Sequence, residues 1–180
     1  AVIRSTVFQS NTAPSGGAIQ ISSGAPTILG CSFLGNSATT TNGGAISTTG
    51  TGTATIVNSL FSGNSAGSFG GAIRTGCSVC GVTVINSTFV SNAAGWGGAL
   101  SDGGVSGATS MSNCVIWGNS GDGEFSEGAQ LYFEAGTLTI NYSTVQGWSG
   151  ALGGTGNNGS DPLFVDADGE VGIGTTAPGA

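Results

Sequence analysis

Val82-Thr83-Val84-Ile85-Asn86-Ser87-Thr88-Phe89-Val90-Ser91-Asn92 is the stretch on which the fold turns. A glycine-free run leads to Asn86, Phe89 follows three residues later, and Asn92 three after that. The string Phe-x-x-Asn also occurs at Phe8–Asn11, Phe33–Asn36 and Phe61–Asn64, and Ile116-Trp117-Gly118-Asn119 takes its place once more. The steps between the asparagines Asn11, Asn36, Asn64, Asn92 and Asn119 are 25, 28, 28 and 27 residues. A second string, Gly-Gly-Ala-Ile or Gly-Gly-Ala-Leu, places its second glycine at Gly17, Gly44, Gly71 and Gly98, at steps of 27. A degenerate copy, Glu127-Gly128-Ala129-Gln130, follows. Two further columns accompany them: apolar Ile28, Ile56, Val84 and Met111, and Asn58, Asn86 and Asn113.

Self-similarity at a fixed period is the mark of a repeat architecture. Within each unit the pattern has period 2, as in Thr53-Ala54-Thr55-Ile56-Val57 and Gly136-Thr137-Leu138-Thr139-Ile140, which predicts strands of about 4–6 residues. No helix-length segment with a 3.6-residue period is present. One such unit has too little apolar face to fold alone, but stacked units bury one another, with equivalent residues about 4.8 Å apart. The expected fold is therefore all-β: a single parallel β-helix with coils of about 27 residues. Phe8, Phe33, Phe61 and Phe89 become an internal aromatic stack. The asparagines, Asn86 among them, become ladders whose amides bond to the coils above and below. The glycines allow positive φ and close approach at corners. On this reading Phe61→Ala opens a cavity costing about 3–5 kcal/mol, and loss of Asn64 costs less, one or two hydrogen bonds.

Composition agrees. Gly, Ser, Thr and Asn fill 93 of the 180 positions, yet 38% of the chain is apolar and only 6% is charged. Disorder pairs low hydrophobicity with high charge, collagen needs glycine at every third position, and no apolar run reaches the ~18 residues of a spanning helix. With no His and no Lys, a Ser-His-Asp triad and a Schiff-base amine are excluded. The two arginines, against nine acids, supply no surface for a phosphate backbone, so nucleic acid is not an expected partner. All nine carboxylates lie from Asp102 onward. Residues 1–150 read as coils and 151–180 as an irregular acidic segment that caps or continues them.

The paired strings resemble the repeats of bacterial polymorphic outer-membrane proteins and, more broadly, the right-handed parallel β-helix proteins that bacteria secrete. The segments Tyr142–Gly147 and Asp161–Gly169 are similar to the way large extracellular β-helix proteins finish. The resemblance covers nearly the whole chain and implies a right-handed solenoid outside a bacterial cell. It leaves function open, because such coils serve adhesins, passengers and polysaccharide enzymes alike.

Candidate chemistry is sparse. Polysaccharide lyases and hydrolases share the expected fold and need clustered carboxylates, and these can meet only around Asp122, Glu124, Glu127 and Glu134, where a solvated acidic loop is the favoured reading. Arg74 follows Gly-Gly-Ala-Ile as Gln20 and Ser47 do, and is expected outward at the surface. Asp166, Asp168 and Glu170 form the start of an oxygen-ligand loop for Ca²⁺, set against a plain acidic turn; no other cofactor is expected. Three glycosylation sequons begin at Asn86, Asn141 and Asn158, as chance allows in such a composition. Cys31 and Cys114 lie three coils apart, about 14 Å, too far to pair across the ~7 Å Cα limit, and read as buried thiols. Cys77 and Cys80 share a turn and are assigned a local disulfide. Trp96, Trp117 and Trp148 fall at turns, packing at corners or stacking on sugars.

The expected function is a non-catalytic extracellular structural or adhesive module: a spacer, surface passenger or fibre subunit. Its partners are expected to be its own copies end to end, other surface proteins or glycans. The strand Ala1–Phe8 has no cap before it, and head-to-tail stacking would make a filament. A carbohydrate-binding or polysaccharide-degrading β-helix is the alternative. Ice binding is a lesser one, since the column Gln20, Ser47, Arg74, Ser101 is too irregular for a matched array.

Overall fold

The computed structural model describes residues 1–77, 79–104, 106–134 and 137–163. The chain winds through about five coils of a parallel β-solenoid. Each coil contributes four short strands, of 2–5 residues, to four parallel sheets. The first sheet stacks Val2–Arg4, Thr27–Leu29, Ala54–Val57, Val82–Ile85, Ala108–Ser112 and Thr137–Asn141. The second stacks Val7–Gln9, Ser32–Leu34, Leu60–Ser62, Thr88–Val90, Val115–Trp117 and Thr144–Val145. The third, of two-residue strands, runs from Thr12–Ala13 to Ser120–Gly121, and the fourth from Ile19–Ile21 to Leu131–Phe133. The strands are shorter than the alternation suggested, because corners interrupt each coil four times.

Registers follow the repeat. Phe8, Phe33, Phe61, Phe89, Ile116 and Val145 are successive partners in the second sheet. Their phenyl rings stack at 4.7–4.9 Å between centroids, within 4° of parallel. Ile28, Ile56, Val84, Met111 and Ile140 form the facing column from the first sheet. Ile46, Ile73, Leu100 and Leu131 close the core from the fourth, all fully buried.

Asn36, Asn64, Asn92 and Asn119 are buried completely, and Asn11 begins the column at its exposed end. Each buried member bonds twice toward each neighbour. The Asn64 Nδ2 donates to Asn92 Oδ1 at 2.8 Å and to the Phe33 carbonyl at 2.9 Å. Its Oδ1 accepts from the Asn36 amide N–H and Nδ2, at 3.0 and 2.9 Å. The ladder does not stop at Asn119: its Nδ2 donates to Gln130 Oε1 at 2.9 Å. Gln130 reaches that place from a one-turn helix, Glu127–Gln130, capped by Ser126. The helix replaces the fifth Gly-Gly-Ala-Ile.

Asn58, Asn86 and Asn113 belong to no ladder, which corrects the placement of Asn86. They are exposed, at φ of 51°, 50° and 53°, and turn the chain between the first and second sheets. Asparagine tolerates that left-handed region better than most residues. One residue on, Cys31, Ser59, Ser87, Cys114 and Ser143 make an inner column of their own. The Cys31 and Ser59 amides donate to the hydroxyls of Ser59 and Ser87 at 3.2 and 3.1 Å.

The two glycines of Gly-Gly-Ala-Ile do different work. The first, as at Gly70, has φ +65°. The second makes room: a Cβ on Gly44, Gly71 or Gly98 would lie 2.6 Å from the backbone nitrogen of Ser65, Ala93 or Ser120. Gly17 sits in the same corner. The third and fourth sheets meet there backbone to backbone.

Candidate functional site

The expected meeting of carboxylates divides in two. Glu127, only 5% exposed, is an internal clamp rather than part of a solvated loop. It accepts hydrogen bonds from the Ser149 amide at 2.6 Å, from the Ser149 hydroxyl, and from the Leu152 amide at 2.9 Å. Burial alone would raise its pKa, but these donors outweigh it and hold the carboxyl below the usual glutamate value. Asp122 and Glu124 remain exposed. They line a cleft of about 420 Å³ with Trp96, Tyr132 and Ser126, where the third sheet and the one-turn helix meet the fourth sheet. Trp96 is 50% exposed.

Arg74 is not an outward surface residue. It is 7% exposed. Its side chain leaves the outer face of Ile73–Thr75, and an aromatic strip covers it. The guanidinium lies 4.3 Å over the Phe69 ring, donates to Ser101 Oγ at 2.6 Å, and pairs with Glu134 Oε2 at 3.3 Å. Gly103 allows this, since a Cβ there would run into the guanidinium. Phe69 and Trp96 are register partners in a single-residue bridge, and Tyr132 pairs with Ser101 one coil on. The strip reads Phe69, Tyr132, Trp96, with ring centroids 6.2 and 5.1 Å apart. The sequence signal was present but unread: an aromatic just before Gly-Gly in two successive units.

Asp102 is also fully buried, accepting from the Gly104 amide at 2.7 Å and from the Thr109 hydroxyl. The carboxylates from Asp102 to Glu134 thus have separate partners or face solvent, and no group of three or more potential metal ligands converges among the described residues. Asp166, Asp168 and Glu170 lie outside the described residues. Cys77 and Cys80 are joined by a disulfide with a Cα separation of 5.4 Å. Cys31 and Cys114 are free and buried, and burial pushes the Cys114 thiol up to about 11. Trp117 is half-buried on the second sheet, and Trp148 packs against the core. Of the sequons, Asn86 occupies its exposed corner, and the Asn141 and Asn158 side chains bond to the backbone at Thr155 and Ser160. The column following Gly-Gly-Ala-Ile or Gly-Gly-Ala-Leu is buried at Ser47, Arg74 and Ser101. A regular hydroxyl column lies elsewhere, on the outer face of the first sheet: Thr27, Thr55, Thr83, Ser110 and Thr139.

Three segments of the chain, residues 5–22, 30–49 and 58–76, match the Chlamydia polymorphic membrane protein repeat. Each match spans the second, third and fourth strands of a coil, from the corner before the Phe column to the strand after Gly-Gly-Ala-Ile. Repeats of this kind suggest a protein of the bacterial outer membrane or surface. Comparison with curated proteins and with solved structures finds no match. No helix among the described residues is long and apolar enough to cross a membrane.

Proposed function

We propose that the chain is a non-catalytic structural or adhesive module of the bacterial surface, a rigid spacer, passenger or fibre subunit. The observation that carries this reading is the uninterrupted side-chain order along the solenoid. Four phenyl rings stack in register, and an amide ladder runs beside them from Asn11 to Gln130. Such columns fix one coil against the next and make a stiff, extended surface. The engagement of Asp102, Glu127 and Glu134 in structural bonds supports the non-catalytic part. A carbohydrate-active reading finds its best foothold in the exposed Trp96. Incubation with uronate polymers and a glycan panel separates the two: the module releases no product, and measurable depolymerisation would overturn it. Head-to-tail stacking is part of the same proposal, checked by sedimentation and particle imaging from micromolar to millimolar concentration.

A further inference from the structure

The aromatic strip on the outer face of the fourth sheet has two ends, and the chain fills one of them itself. At the Phe69 end, Arg74 lies over a ring at 4.3 Å with a carboxylate, Glu134, at 3.3 Å. At the other end Trp96 and Tyr132, 5.1 Å apart, open onto the cleft of about 420 Å³, whose remaining side chains include the carboxylates Asp122 and Glu124. The parts are the same, aromatic faces beside carboxylates, but among the described lining residues there is no cation.

We propose that the Trp96–Tyr132 cleft binds an arginine side chain of a partner polypeptide, with Asp122 and Glu124 accepting its N–H groups. Charge selects the ligand class. A neutral sugar could stack on Trp96 and donate hydroxyls to the exposed carboxylates, but it would leave their negative charge unanswered. A cation answers both features, since an indole is the strongest aromatic partner for a positive group. Arginine fits better than lysine, because its planar guanidinium stacks on a ring while its fork of donors meets carboxylates. Arg74 already displays that arrangement next door. The inference goes beyond the structural-module reading: an inert cleft would leave that reading standing, and product release from a polymer would remove that reading alone.

The test uses the full chain and three probes: N-acetyl-arginine amide, its neutral isostere N-acetyl-citrulline amide, and a neutral disaccharide. Chemical-shift changes at the backbone amides of Gly95, Gly121 and Gly128, which line the cleft, report binding in wild type and variants alike. The arginine probe is expected to bind in the millimolar range, citrulline about tenfold more weakly, and the disaccharide not at all. Trp96→Ala and the double variant D122N/E124Q are each expected to weaken the arginine probe about tenfold. These positions are exposed, so the variants keep the wild-type circular dichroism. Trp117→Phe is expected to change nothing. Equal affinity for citrulline or the disaccharide overturns the proposal, as does unchanged arginine binding in both cleft variants. Concentration-dependent burial of Trp96 without any probe, abolished by Arg4→Ala, would hand the cleft to a second copy of the chain and overturn the foreign partner.

Discussion

Truncating Asn64 to alanine tests the ladder directly. Asn64 is fully buried and makes four side-chain hydrogen bonds, two accepted from Asn36 and two donated, to Phe33 and Asn92. Each neutral bond contributes about 1 kcal/mol net, so the four amount to roughly 4 kcal/mol. The bonds are not lost symmetrically. Asn92 Oδ1 keeps the Asn64 backbone N–H at 2.9 Å, whereas the Asn36 N–H and one Asn36 amide proton are left buried without an acceptor. Such orphans cost about 1–3 kcal/mol each, which keeps the total at 3–5 kcal/mol or above. That equals the cavity cost expected for Phe61→Ala and removes the ranking drawn from the sequence, which counted one or two bonds. Asn64→Asp should do no better: it retains the acceptor, loses both donors, and sets a carboxylate against two oxygens. The assay is equilibrium denaturation of wild type, N64A and F61A, with amide exchange at Asn36 and Asn64. Because coils contact only their neighbours, protection should fall first between residues 33 and 92. A loss below 1 kcal/mol in N64A, with the Asn36 amide still protected, would refute the ladder as a source of stability.

Three further outcomes follow from single contacts. The Glu127 pKa is held down in the folded state, so its contribution is present above the ordinary glutamate value of about 4.3. It is lost as the pH falls from there through the folded pKa. The protection factors of the Ser149 and Leu152 amides, referred to the intrinsic exchange rate at each pH, should fall over that window in wild type, and in E127Q should be low and independent of pH. Arg74→Ala removes a buried cation, its ring contact and its pair, but Glu134 has a 39% exposed side chain and can hydrate; a loss of about 1–3 kcal/mol by thermal denaturation is expected, less than for a fully buried pair. Reducing Cys77–Cys80 releases a loop of four residues, for which chain entropy predicts about 2 kcal/mol at most. The melting temperature should drop by a few degrees with the far-ultraviolet spectrum unchanged.

The coils were legible because a solenoid repeats its chemistry at a fixed step. Phe61 is explained by Phe33 and Phe89, and no tertiary contact between distant dissimilar segments has to be guessed. The errors fall where the repeat carries two jobs with one residue type. Asn64 and Asn86 look alike in a column of letters, yet one points inward to an amide chain and the other turns a corner at positive φ. Side-chain direction across a corner is not encoded in spacing. The same reason hid Gln130: it enters the ladder from a helix eleven residues after Asn119, out of step with the period.

Arg74 shows what spacing leaves out at the site. Its column predicts an outward side chain, and the side chain does point away from the core, but outward is not exposed. Phe69, immediately before its own Gly-Gly, and Glu134, 60 residues on, come over it. In a solenoid the inner face is written by the period, so substitutions that break the period mark the outer surface. Phe69, Trp96, Arg74 and Tyr132 are such departures, where neighbouring coils carry Asn42, Ser47 and Ser101. They fall on adjacent coils, on the fourth sheet and the corner leading into it, and form one chain of contacts. An irregularity needed only for packing would sit where the core is irregular, yet Ile46, Ile73, Leu100 and Leu131 beneath them stay uniform and fully buried. The exception is therefore local to the outer face, and that face is where recognition by this chain should be sought.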